Sequence, residues 1–152
     1  MPFPLIRTIL ATLLLPASLC LGSIDNMEQV YYTEDTFKRI SEYFTGVEDQ
    51  GNRSILRSHP EDRAGHYIKF NLTKPHAVDH CQLEVLGFGA KETTTYTFKV
   101  EEPWSVEKPI YLGLTGPEWR NKTQPPIAYK VVLLDAAGNI LASASSFLWG
   151  DG

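Results

Sequence analysis

The densest run of chemically capable side chains is His76-Ala77-Val78-Asp79-His80-Cys81. Imidazole, carboxylate and thiol are all ordinary metal ligands. A cysteine near a histidine is also the minimal pair for a thiolate nucleophile. The spacing works against both uses. In a strand that begins near Asp79, successive side chains alternate faces, so Asp79 and Cys81 point one way and His80 the other. Cys81 then falls in line with Leu83 and Val85 and reads as a small buried hydrophobe. No histidine follows Cys81, and beyond residue 22 the sole methionine is Met27, which excludes a blue-copper ligand set. His76, His80 and Cys81 stand as a candidate metal set, third in order of expectation.

Other catalytic signatures are missing. The chain has no G-x-S-x-G elbow, no H-E-x-x-H, no glycine-rich phosphate loop and no C-x-x-C. The acidic neighbours Glu101-Glu102 and Glu61-Asp62 are adjacent in sequence, which sets no separation suited to paired acid–base work. The expectation is a non-catalytic protein without a cofactor.

Aromatic residues outside the alternating segments are the stronger lead. Trp104 and Trp119 fall in connections, and Tyr111 faces away from the Ile110-Leu112-Leu114 stripe. Exposed rings of this kind make platforms for sugars and anchors for protein partners. The competing reading has each Trp plugging one end of the core. Trp104 and Trp119 flank the same strand, a separation on the order of 20 Å, too far for one small pocket. Asn52-Arg53-Ser54, Asn71-Leu72-Thr73 and Asn121-Lys122-Thr123 are N-glycosylation sequons, so Asn52, Asn71 and Asn121 are glycan acceptors if the chain passes a eukaryotic secretory route.

The N-terminus supplies the compartment. Residues 1–22 place one positive charge, Arg7, before the apolar run Ile9–Leu15. Pro16 and the small residues Ala17, Ser18 and Gly22 follow. That order defines a cleavable secretory signal, with the cut expected near Gly22. The run is too short to span the roughly 20 apolar residues of a membrane helix. A secreted or periplasmic protein with no membrane span after cleavage is expected. Cys20 leaves with the signal, so Cys81 remains alone and no internal disulfide can form. With 14 Lys and Arg against 18 Asp and Glu, the chain is mildly acidic and ill suited to nucleic acid.

The remaining residues suit one domain with one core: an N-terminal helix and polar connection over 23–63, then a β-sandwich over 64–152. The helix begins at Thr33, with Glu34 and Asp35 in its first turn and Phe37, Ile40, Phe44 and Val47 on one face. Lys38 pairs with Glu42, and Gly46 stops it. Its apolar face should pack on the sandwich. The polar segment 48–63 reads as a connection or lid. From His66 the period changes to two: Ile68-Phe70-Leu72, Cys81-Leu83-Val85, Tyr96-Phe98-Val100 and Ile110-Leu112-Leu114 each form one buried stripe. Ile127–Leu134, the turn 135–139 and Ile140–Trp149 form a closing hairpin, the mixed pattern of the last strand marking a bulge or a tight packing site, with Trp149 packed inside. This hairpin resembles the final one of an immunoglobulin or fibronectin type III domain, which implies an antiparallel sandwich and no particular activity. The expected function is a protein-binding or structural module. A carbohydrate-binding module using Trp104, Tyr111 and Trp119 is the alternative.

Overall fold

The computed structural model describes residues 23–149; the expected secretory signal lies outside them. Alternation dictates the strands. β1 is Ile24–Tyr32, β2 Ser54–Arg57, β3 Gly65–Leu72, β4 His80–Leu86, β5 Thr93–Lys99, β6 Ile110–Thr115, β7 Ala128–Leu134 and β8 Ile140–Ser145. They form two four-stranded sheets, ordered β1-β3-β6-β2 and β5-β4-β7-β8. All pairings are antiparallel except β2 on β6, which is parallel. One apolar core draws on both sheets: Ile68, Phe70 and Leu112 from the first, Cys81, Leu83 and Leu133 from the second, all fully buried. The expected stripes of β3, β4 and β6 thus face inward together, and the protein is mainly β.

β6 is buried on both faces. Its inward residues join the shared core, and Tyr111 on the opposite face enters a second cluster with Phe37, Ile55 and Tyr67. The Tyr67 ring lies over Gly113, its partner in the β3–β6 register, where a Cβ would come within 2.6 Å of the ring. Glycine gives this central strand the room its neighbour's aromatic needs.

Two strands are additions to the sequence reading. β1 escapes a period-two search because its register shifts between Asp25 and Glu28, where Asn26 adopts φ 53°. The shift flips the alternation partway along the strand. β2 has only four residues, too few to show a period, and parallel pairing brings no hairpin turn to mark it.

The expected single helix from Thr33 is corrected. α1, Glu34–Phe37, is one turn, and α2, Ile40–Thr45, is separated from it by extended backbone at Lys38 and Arg39. The break separates the two halves of the expected apolar face. Phe37 is fully buried against Tyr32 and Tyr67, whereas Ile40, Phe44 and Val47 stand in water. Lys38 pairs with Asp35 at 3.2 Å, and Glu42 instead meets Arg63 at 2.9 Å. Gly46 ends α2 as expected, in the left-handed region at φ 68°, its N–H donating to the Glu42 carbonyl.

The hairpin from β7 to β8 turns through Asp135–Asn139, with Gly138 at φ 85° and the Asp135 carboxylate accepting from the Ala137 and Asn139 N–H groups. Its register shifts at Leu133/Leu134, the bulge anticipated from the mixed pattern after Ile140. Trp149 lies half-buried in a short 3-10 turn, Phe147–Trp149, rather than inside the core.

Phe37 and Phe44 separate the two roles of the 33–47 segment. Phe37→Ala should lower unfolding free energy by about 3–5 kcal/mol, as expected for truncating a fully buried aromatic. Phe44→Ala should change it by less than about 0.5 kcal/mol. Urea titration followed by tryptophan fluorescence gives both values. Equal effects would mean that both rings pack alike.

Candidate functional site

After β1 the chain crosses the outer face of the first sheet to reach β2 at the far edge, then returns to β3. This crossing carries α1, α2 and the polar stretch 46–53, and it covers the second aromatic cluster. Arg57, at the end of β2, anchors it. The Arg57 side chain is 4% exposed and meets Glu48 through two bonds of 2.8 Å. Its Nε donates to the Tyr67 hydroxyl at 2.7 Å, and that hydroxyl donates to the Arg63 carbonyl. The guanidinium also stacks 4.8 Å from the centre of the Phe37 ring. Burial opposes the charge on Arg57, but the Glu48 carboxylate and the Tyr67 hydroxyl outweigh it and hold the group above its ordinary range. Arg63 ties the same segment to Glu42 and, at 3.7 Å, to Glu48.

Beyond the break at Lys38 and Arg39 the crossing turns its large apolar side chains outward. On α2 and its C-terminal turn, Ile40 is 78% exposed, Tyr43 81%, Phe44 85% and Val47 68%. The spacing i, i+3, i+4 puts Ile40, Tyr43 and Phe44 on one face of α2, and Val47 is exposed just beyond the left-handed Gly46. Around this stripe the acids are engaged. Glu42 is held by Arg63, and Asp49 accepts from the Ser41 hydroxyl and the Gly51 N–H, which keep its carboxyl below the usual range. The result is a neutral apolar ridge containing two aromatic rings. Such patches on an otherwise polar surface mark interaction sites, and fixed aromatics are the usual anchors. The sequence had signalled Ile40, Phe44 and Val47 by helical period but assigned them to a face packed on the sandwich, and it had not singled out Tyr43.

The expected aromatic platform is corrected in its exposure. Trp104, Trp119 and Tyr111 are all buried, at 6%, 7% and 6% exposed. Trp104 packs edge-on against Phe70. Trp119 lies between His66 and Tyr96 and donates its indole N–H to the Tyr96 hydroxyl at 3.0 Å. The two close opposite ends of the core, the competing reading of the sequence. Tyr111 does face away from the inner stripe, but the crossing segment covers it.

The candidate metal residues do not converge. Cys81 is wholly buried in the shared core, and burial pushes its thiol far above the usual range. His80 turns outward and pairs with Asp79, whose second oxygen accepts from Lys99 at 2.8 Å. His76 is half-buried in the connection before β4. Among the described residues no group of three His, Cys, Asp or Glu side chains is placed to hold a metal ion. Of the sequon asparagines, Asn52 and Asn121 are exposed and Asn71 is half-buried within β3.

A cleft of about 640 Å³ opens beside β2, lined by Arg53, Lys99 and Lys108 together with Glu48, Glu101 and Glu102. Its mixed charge selects no single class of ligand.

His66 is a buried titratable group that the sequence reading placed only at the start of a strand. It is 1% exposed, edge-on to Tyr31 and Trp119, with Nε2 2.9 Å from the Asn121 carbonyl. Burial lowers its pKa, and the bond to Asn121 offsets this only partly. The folded state therefore binds the proton less readily than the unfolded chain. Its contribution to stability should be complete above the ordinary pKa near 6.5 and lost as pH falls toward the depressed folded value. Thermal unfolding should show a lower Tm at pH 5 than at pH 7.5, and a smaller drop in His66→Gln. Equal drops would assign the acid sensitivity to other groups. Cys81 offers a second check. Its thiol should react with a disulfide reagent only as fast as the protein unfolds, whereas prompt reaction in buffer would place it at the surface.

Comparison with protein-family models, with curated proteins and with solved structures returned no match to this chain.

Proposed function

We propose that this is an exported, non-catalytic module that binds a protein partner through the Ile40-Tyr43-Phe44-Val47 ridge. The observation that carries the reading is the ridge itself: four large apolar side chains, each more than two-thirds exposed, three on α2 and Val47 just past its end. A soluble domain gains nothing in stability from such a stripe, since burying these side chains would contribute about 1.5–3 kcal/mol each. The partners of the nearby acids add to the argument. Glu42 and Asp49 already have partners, so docking an apolar surface over them strands neither carboxylate. Export rests on the charge and hydropathy order of residues 1–22.

The scaffold reading belongs here as well. β3, β4, β5, β6, β7 and β8 occur in the chain order and sheet placement of the B, C, C′, E, F and G strands of an immunoglobulin or fibronectin type III sandwich, with β1 as the A strand. On this reading β2 is an addition at the outer edge of β6, and the crossing that leads to it is the specialised part. With Trp104, Trp119 and Tyr111 buried, the rings on which the carbohydrate alternative was built do not form an exposed platform.

The test is site-specific photocrosslinking in the source cells, with a benzophenone amino acid at position 43 and, as control, at the exposed position 122. Position 43 should give a discrete protein adduct that position 122 lacks, and Phe44→Glu should reduce it at least tenfold without changing Tm. No adduct at position 43, or one indifferent to Phe44→Glu, would overturn the reading.

A further inference from the structure

The two sheets present four edge strands, β1, β2, β5 and β8. An open edge offers unpaired N–H and C=O groups to any extended chain, and soluble proteins normally blunt it with bulges, charge, proline or shortness. Three of these edges are blunted. β1 is bulged between Asp25 and Glu28, with Asn26 at φ 53°. β8 carries the register shift opposite Leu133/Leu134. β2 is four residues long and ends in the anchored Arg57.

β5 has none of these devices. It runs seven residues, Thr93-Thr94-Thr95-Tyr96-Thr97-Phe98-Lys99, in unbroken register with β4. From Thr93 to Phe98 it holds no Gly, no Pro and no charge, and all of these residues favour strand. Thr93, Thr94, Thr95, Thr97 and Lys99 are exposed. Among the described residues, its backbone groups bond only within the β4 ladder.

We propose that β5 is a self-association edge, pairing antiparallel with β5 of a second copy to join two sheets into one of eight strands. The register that pairs all seven residues centres on Tyr96. On the outer face it sets Thr95 opposite Thr97 of the second copy, and Thr93 opposite Lys99. Thr–Thr cross-strand pairs are favourable, and no like charges oppose each other. This self-complementarity singles out another copy as the occupant, because one two-fold axis satisfies every pair at once. An interface of one strand pair lies below roughly 1,200 Å², the weak end of specific association. A reversible dimer is therefore expected between roughly 10 µM and 1 mM.

Sedimentation equilibrium of the purified protein across that range tests it. The wild type should dimerise, and Thr95→Lys/Thr97→Lys should raise the dissociation constant at least tenfold, since it places lysine opposite lysine twice. Thr95 and Thr97 are exposed and face Glu84 and Gln82 on β4, so these lysines should be tolerated by the fold. If the double variant does not fold, Thr97→Lys alone serves. Mixing the lysine variant with Thr95→Glu/Thr97→Glu should restore a mixed dimer. Phe44→Glu should leave self-association unchanged, which separates this edge from the α2 ridge. A wild type monomeric at 1 mM, a dimer indifferent to the lysines, or a dimer lost with Phe44→Glu would each overturn the proposal.

Discussion

Arg57 is the point from which the unusual half of this protein is organised. A guanidinium removed from water is costly unless its charge and its donors are both satisfied. Here Glu48 takes two donors, Tyr67 takes a third, and the Phe37 ring lies against the planar face. A lysine could supply the charge but not this planar fork of donors. The bonds tie β2 to the 46–53 stretch, to β3 and to α1 at once. Because they need that geometry, they also fix the path of the crossing segment over the first sheet. Arg63 repeats the device one loop later with Glu42 and Glu48.

From this anchor follow both the second aromatic cluster and the exposed ridge. Tyr32, Ile55, Tyr67 and Tyr111 would be an open patch on the outer face of the sheet without the crossing above them. The crossing covers them with Phe37 and the arginines, and that use of its inner side leaves Ile40, Tyr43, Phe44 and Val47 outside. One short helix following a break cannot bury both Phe37 and the ridge, because the extended residues Lys38 and Arg39 turn the two apart. The apolar surface is thus a consequence of how the polar network is satisfied.

Much of the second sheet and of the shared core was legible in the residues. Ile68-Phe70-Leu72, Cys81-Leu83-Val85 and Ile110-Leu112-Leu114 alternate cleanly, and each stripe packs inward. The Asp135–Asn139 turn and the bulged return were legible because Asp, Gly and Asn have local conformational meaning. β1 and β2 were not legible, the first because its bulge resets the period and the second because four residues show none. The candidate aromatics were misplaced for another reason. Position outside a strand says that a Trp lies in a connection, and it says nothing about whether that connection folds over the end of the core, as those of Trp104 and Trp119 do.

The sequence by itself determined the β character of the chain, the faces of its regular strands, Cys81 as a core residue and the turn at Gly138. These depend on period and on local backbone preference, which are carried by near neighbours along the chain. Only the tertiary structure decided which aromatics are covered, which ridge stands in water and which edge is left open. Those outcomes depend on contacts between residues far apart in sequence, such as Tyr31 with the Arg120 carbonyl or His66 with Asn121. A helical stripe looks the same in sequence whether it faces the core or the solvent. The choice is made by the charged groups that fix the segment's path, and here Arg57 and Arg63 make it.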